Sequence, residues 1–325
     1  MLTIYCRRGG RIVADHAKPG EPLPDGLVWA DLLEPTVEEI EQIKRIAAIE
    51  VPTPEEMREI EPSSRLYREG LALFMTASVL VRTDTLDPET RAITFVLSDG
   101  LMTTIRYASP TPFQTFVARV HSQPELCASA EIALVELLDA IVDRIADTLE
   151  SIDAHVSALS RSIFTPIGSH HKDGPRDYSE ELKTIGLNAV RCSKVDESLV
   201  GLSRMLTFFD ANMRQIGQKQ VRPRVKDLQR DILSLMGYVE RVSEKLQLLL
   251  DATLGMINIQ QNNIIKIFSV IAVVFLPPTL VASIYGMNFQ LMPELDWAYG
   301  YPMALLLMLM SAIGPYLYFR RRGWL

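Results

Sequence analysis

Hydrophobic and polar positions recur along this chain with different periods, and each period predicts a different kind of element. Short apolar runs at Leu2–Cys6, Leu71–Val81, Ile93–Leu97 and Met102–Arg106 predict strands, with Ser98-Asp99-Gly100 as a hairpin turn. Thr36 followed by Glu39 is a capping-box start for a helix reaching Ala48. Helical periodicity then covers Ala128–Phe164 and Glu180–Asn212, joined by Thr165–Tyr178, a Gly-, Pro- and His-rich stretch that predicts a tip loop. Further on, Leu228, Ile232, Leu235, Val239, Val242, Leu246, Leu249 and Thr253 alternate spacings of four and three between charged flanks. Such a seam predicts a long helix packed in a bundle or against copies of itself.

Two later runs have no polar face at all. Ile267 to Tyr285 carries no charge and is close to the roughly 20 residues that cross a bilayer as helix. A second uncharged run, Trp297 to Phe319, ends in Arg320, Arg321 and Arg322. Two such runs in tandem, one closed by a basic cluster, predict transmembrane helices. No Gly-Pro break separates the seam from the first run, so stalk and first span read as one helix. The fold class expected is an α+β cytosolic domain with long helices, continuing into a two-helix transmembrane hairpin. Its divisions are a mixed α/β domain (1–127), long helices (128–221), stalk and first span (222–286), outer loop (287–296), second span (297–319) and basic tail (320–325). Lys266 and Arg320–Arg322 flank the spans on one side, whereas the loop between them carries Glu294 and Asp296 and no Lys or Arg. The positive-inside bias therefore puts both ends of the chain in the cytosol.

Composition narrows the classes. The 325 residues are 48% hydrophobic and 22% charged with net charge −7, which disfavours a nucleic-acid binder that would need excess Lys and Arg. Cys6, Cys127 and Cys192 form no C-x-x-C pair, and Arg7 and Arg8 precede no apolar run, so neither a disulfide framework nor a cleavable signal peptide is expected. No nucleotide loop, H-E-x-x-H or nucleophile motif is present, so the chain does not read as an enzyme and calls for no cofactor.

Within the first span Ser269, Ala272, Leu276, Thr279 and Ser283 form a small or hydroxylic stripe, suited equally to a pore lining or to close helix packing. Neither span holds an ionisable residue, which argues against a proton relay. Pro277-Pro278 predicts a kink or local opening. Just before the span lie Asn258, Gln260, Gln261, Asn262 and Asn263, whose carbonyls can accept from the water shell of a cation.

After the span stand Tyr285-Gly286-Met287-Asn288-Phe289 and Met292-Pro293-Glu294-Leu295, and Gly300-Tyr301-Pro302 lies near the start of the second span. This arrangement resembles the CorA family of divalent-cation transporters, two-span proteins with a G-x-N signature; Trp29-Ala30-Asp31-Leu32, Pro35-Thr36 and Glu38-Glu39 also resemble the family's early strand-to-helix turn. The resemblance implies a homopentamer in the cell membrane (the inner one in a Gram-negative source), its first span lining a channel for magnesium and, with it, cobalt or nickel. Asn288 would form a carbonyl ring at the outer mouth, shaped by Gly286 and Met287, while Leu276, Phe268 and Ile265 would be apolar constrictions and Asn262 the inner entrance. Mg²⁺ sheds water reluctantly, which suits a ring of neutral carboxamides. It also implies feedback by cytosolic Mg²⁺ at Asp227, with Asp84 or Asp87 of a neighbour as guessed partners. A divalent ion moving through 100 mV gains roughly 4.6 kcal/mol, enough for accumulation on the order of 10³-fold without ATP.

Other features read more plainly. Asp139, Asp143, Asp147 and Glu150 share one helix face and are expected to be solvated, and His170-His171 to be an exposed loop pair. Two alternatives remain: a zinc transporter of the related proton-coupled branch, against which Met292-Pro293-Glu294-Leu295 and the uncharged spans weigh, and a membrane-anchored adaptor.

Overall fold

The computed structural model describes residues 1–17, 24–59, 61–83, 85, 87–164, 176–213, 221–288, 292–293 and 297–324. Seven strands, β1 (Leu2–Arg8), β2 (Arg11–His16), β3 (Leu27–Leu33), β4 (Leu66–Glu69), β5 (Ala72–Val81), β6 (Glu89–Ser98) and β7 (Leu101–Arg106), form one sheet in the order β2-β1-β3-β7-β6-β5-β4. All neighbours are antiparallel except β3 and β7, which run parallel. Ser98 pairs with Leu101, so the β6–β7 loop is the two residues Asp99 and Gly100, at φ 45° and 76°. Both angles are left-handed, the twist that a two-residue hairpin needs and that Asp-Gly supplies. The hairpin is where the sequence puts it; β2 and β4 are additional, and β3 stands where only the family resemblance put a strand.

Every residue of β5 and β7 is buried because the sheet is covered on both faces. On one face Leu32, Phe74, Val96 and Ile105 pack with Ile43 and Ala47 of α1 (Val37–Ala47), and with Met57 of α2 (Pro54–Met57); α3 (Pro62–Arg65) leads into β4. Thr36 caps α1 through the expected reciprocal box with Glu39. On the other face Trp29 stacks on Tyr5 at 4.2 Å between centroids and lies against Phe113 and Phe116 of α4 (Thr111–Ser122). Beyond α4 run α5 (Ala130–Phe164) and α6 (Ser179–Met213), each within a residue or two of its predicted bounds. Ser198 of α6 donates to the Ser78 carbonyl of β5 at 2.7 Å, and Thr76 and Thr94 share a hydroxyl bond at 2.8 Å where β5 faces β6.

A charged network ties the parallel strands β3 and β7. Arg106 donates to Asp31 from Nε at 2.9 Å and from Nη2 at 2.7 Å, and both side chains are buried. Thr104 donates to Asp31 at 2.7 Å and receives the Trp29 indole N–H at 3.0 Å. The Arg106 guanidinium also donates from Nη1 to the Ala108 carbonyl at 2.7 Å and lies 4.7 Å from the Phe113 ring centre. Burial and then the Asp31 charge raise the pKa of Tyr5.

Helix α7 runs uninterrupted from Arg222 to Tyr285, 64 residues or about 96 Å at 1.5 Å per residue. Stalk and first span are one helix, and it continues across Pro277 and Pro278. Its seam is buried within the single chain: Leu228, Ile232, Val239, Val242, Leu246 and Leu249 are at most 3% exposed. Arg224 pairs with Glu136, while Lys245 reaches Asp153 at 3.3 Å and Ser157 at 2.8 Å, so the stalk runs beside α5. The seam therefore faces the chain's own helices. Leu233 and Leu248, each 62% exposed, lie off it. The second apolar run forms α8 (Gly300–Arg321), which begins three residues after Trp297. The chain divides into two compact units, Met1–Pro166 with Ser179–Leu249 and Ile167–Tyr178 with Leu250–Leu325.

On the acidic face of α5, Asp143, Asp147 and Glu150 are exposed as expected, but Asp139 is half-buried. Burial, then the charge of Asp143, push its carboxyl above the usual carboxylate range, with Arg119 opposing and Asp231 adding. An acid raised on folding holds its proton longer in the native state, so stability falls as pH climbs from the unfolded value of about 3.9 through the folded one. Asp139→Asn is expected to raise the unfolding temperature at pH 7, with the gain disappearing below about pH 4.

Candidate functional site

The second half of α7 changes character from polar to apolar within a few turns. Asn258, Asn262 and Asn263 are exposed, and Gln260 uses its carboxamide on the backbone of Arg176, donating to the carbonyl at 3.1 Å and accepting from the N–H at 3.2 Å. Lys266 is exposed at the start of the apolar stretch. Beyond it the mean hydropathy reaches 2.3 over 18 residues, with only 6% of that stretch buried; α8 reaches 1.6 with the same share. These are the two helices among the described residues long and apolar enough to cross a membrane. Ile265, Phe268 and Leu276 are 55%, 69% and 66% exposed, a surface that water would penalise and that lipid or further copies of the chain would cover.

The small stripe lies on this exposed surface: Ser269, Ala272, Leu276, Thr279 and Ser283 are all open. Ser269 donates to the Ile265 carbonyl at 2.8 Å and Thr279 to the Phe275 carbonyl at 2.7 Å. Each hydroxyl hydrogen is thus satisfied inside the helix, as an apolar environment requires, while the oxygen keeps its capacity to accept. Pro277 and Pro278 bring no N–H, so the carbonyls of Val273 and Val274 lose their helical donors.

Helix α7 stops at Tyr285. The Gly286 N–H reaches the Ala282 carbonyl at 2.9 Å and the Met287 N–H reaches Ile284 at 3.3 Å. A Cβ at Gly286 would stand 3.1 Å from the Ala282 oxygen, so any side chain would press against the acceptor of that closing bond. Asn288 follows and is exposed. Gly286, Met287 and Asn288 are thus together at the end of the span; Glu294 and Asp296 lie outside the described residues. At the far end of α8, Arg320 and Arg321 occupy the last turn, where the helix dipole favours cations, and Arg322 lies over the Tyr318 ring at 5.6 Å.

The model of the CorA-like Mg²⁺ transporter protein family matches residues 24–321. The chain belongs to the CorA family. The magnesium transport protein CorA of Escherichia coli K12 is 34% identical over 325 residues, covering both chains completely, and that of Salmonella typhimurium is equally similar. The solved structure of the complete CorA magnesium transporter of Methanocaldococcus jannaschii shares the fold at a TM-score of 0.80 and 19% identity, covering 100% of this chain and 99% of that one. Full-length CmaX matches at 0.66 and 14% identity, covering 100% and 98%. CorA proteins are transporters, so the chain is not an enzyme.

Asp227, the acid that the CorA resemblance singles out, and Asp87, a guessed partner, each have cationic neighbours in this chain. Asp227 pairs with Arg230 at 3.0 Å and shares an open cleft of about 440 Å³ with Arg222 and Lys226. Asp87 pairs with Lys194 at 2.9 Å, and that bond, then the lysine's charge, hold its carboxyl below the usual range. Asp84 and the pair His170-His171 lie outside the described residues. Among the described residues no three metal-ligating side chains converge.

Proposed function

We propose that this chain carries Mg²⁺ across a membrane as a homo-oligomeric channel, most simply the pentamer of the family resemblance. The observation that carries the reading is the Gly286-Met287-Asn288 turn, exposed at the end of an unbroken apolar helix whose small stripe is also exposed. Two helices cannot enclose a pore, so several chains must contribute first spans. Asn288 then supplies a ring of neutral carboxamides that binds a dication through its water, without the dehydration that Mg²⁺ resists. Leu276, Phe268 and Ile265 form apolar constrictions that open and close by wetting, and Asn262 supplies the inner mouth. The 34%-identical relatives, which are magnesium transport proteins, support magnesium as cargo. Cobalt and nickel are admitted in the same hydrated form.

Both chain ends face the cytosol in this reading, because Lys266 and Arg320–Arg322 flank the spans on one side. Radiotracer or dye flux in proteoliposomes tests it: potential-driven Mg²⁺ entry that ignores a pH gradient is expected. Gradient-dependent Zn²⁺ entry without Mg²⁺ entry would overturn it.

Feedback is the finer part of the proposal. Cytosolic Mg²⁺ binds between subunits at Asp227, with Asp87 or Asp84 of a neighbour, and holds the channel shut. The Arg230 pair must open for this, and three cations beside one carboxylate weaken a Mg²⁺ site. Asp227→Ala is expected to shift half-inhibition by internal Mg²⁺ to higher concentration; an unchanged value removes Asp227 from regulation.

A further inference from the structure

The far end of α8 is closed by its own backbone. Gly323 turns left-handed at φ 70°, its N–H donates to the Arg320 carbonyl at 3.2 Å, and the Trp324 N–H donates to the Phe319 carbonyl at 3.1 Å. This pair of bonds is the Schellman arrangement. The apolar contact that accompanies it is present too, with the Trp324 indole 5.3 Å from the Phe319 ring. The Arg322 N–H reaches the Tyr318 carbonyl at 3.1 Å. Since the carbonyls of Tyr318, Phe319 and Arg320 all take backbone donors, no arginine side chain is needed to cap the helix. The indole is held beside Arg320, Arg321 and Arg322 and is still 45% exposed.

All three arginines are exposed. Among the described residues none of their guanidiniums has a carboxylate or carbonyl partner; Arg322 has only the face of Tyr318. No Asp or Glu lies between Trp297 and Leu325. None lies between Ala252 and Pro293 either, where Lys266 is the one charged side chain. A terminal carboxylate on Leu325 would offset at most one of the three charges.

Uncompensated guanidiniums beside an amphipathic indole define a ligand. Trp settles at the headgroup level of a bilayer, where its ring is buried and its N–H is satisfied. That depth puts the guanidinium forks among lipid phosphates, whose oxygens they match in geometry. A zwitterionic headgroup brings an ammonium of its own, and this helix end has no carboxylate to receive it. A headgroup with a phosphate and no ammonium meets donors alone. We propose that the end of α8 binds anionic phospholipid of the phosphatidylglycerol type, with Arg320, Arg321 and Arg322 holding the phosphate and Trp324 fixing the depth. The assignment requires that α8 lie in a bilayer and is independent of what the protein transports.

Full-length Trp297→Phe protein in bilayers tests this, because its remaining tryptophans are Trp324 and the fully buried Trp29. Quenching by brominated phosphatidylglycerol is compared with quenching by brominated phosphatidylcholine, without Mg²⁺ and at matched ionic strength. A relative binding constant at least about fivefold in favour of the anionic lipid is expected, the worth of a single basic residue at an anionic surface. Arg320→Gln, Arg321→Gln and Arg322→Gln together are expected to bring the ratio near one with Trp324 still quenched. Should that variant fail to insert, Arg320→Gln with Arg321→Gln decides, and the ratio is expected to fall at least by half. Millimolar glycerol phosphate is expected to leave the wild-type ratio unchanged; a collapse there would assign the arginines to a soluble phosphate. That collapse, a wild-type ratio near one, an unchanged ratio in an inserted variant, or Trp324 quenched by neither lipid overturns the proposal.

Discussion

Asn288→Ala is expected to abolish Mg²⁺ uptake by the reconstituted protein while its assembly and unfolding profile stay those of the wild type. The residue is exposed beyond the end of α7, so removing the carboxamide leaves no buried cavity and no unsatisfied partner. What disappears is a set of acceptors for the water around the ion. One hydrogen bond of this kind is worth about 0.5–1.5 kcal/mol net. In the pentamer proposed above the ring would lose roughly 2.5–7.5 kcal/mol, so ion capture is expected to fall at least about sixtyfold. Tracer flux at micromolar Mg²⁺ shows this most clearly, because there capture limits the rate. A membrane-anchored adaptor would be indifferent to the change, and wild-type flux through Asn288→Ala would remove the channel reading altogether.

Asp31→Ala should be the most damaging single change to the unit that holds the sheet. It leaves the Arg106 guanidinium buried, with one carbonyl and one aromatic face in place of its carboxylate. Breaking one side of a buried ion pair costs about 3–5 kcal/mol. Thr104 loses its acceptor as well, and with it the group that orients it toward the Trp29 indole. The expected reading is a large fall in the unfolding midpoint of the detergent-solubilised chain. Joining Asp31→Leu to Arg106→Met should recover most of the loss, since replacing both charges of a buried pair by apolar groups is often neutral or stabilising. A double variant as unstable as Asp31→Ala would show that the pair itself, and not the orphaned cation, sustains β3 against β7.

Elements with one strong period were legible in the sequence: α5, α6 and the stalk, both apolar helices, and the Asp99-Gly100 hairpin. The 4-3 seam from Leu228 told which face of α7 is covered but not by what, because spacing describes a face and never its occupant. Strand β2 went unread since only Ile12 of its six residues is buried, as suits a charged edge strand. Helix α4 has no side-chain cap and starts at Pro110-Thr111-Pro112, which looks like a turn. Trp297 opened the second apolar run three residues before the true start of α8, since hydropathy does not mark a helix end. The motif at Gly286–Asn288 was visible as a string, and its place directly after the helix followed from the charge-free run before it.

The order of elements along α7 and α8 has a consequence for biosynthesis. About 250 residues, enough for the whole sheet and its helices, leave the ribosome before the first apolar helix does. At roughly 5–20 residues per second that interval is about 12–50 s, ample for a domain of this kind to fold. The membrane-insertion machinery therefore meets a nascent chain whose greasy segment emerges behind an already folded body.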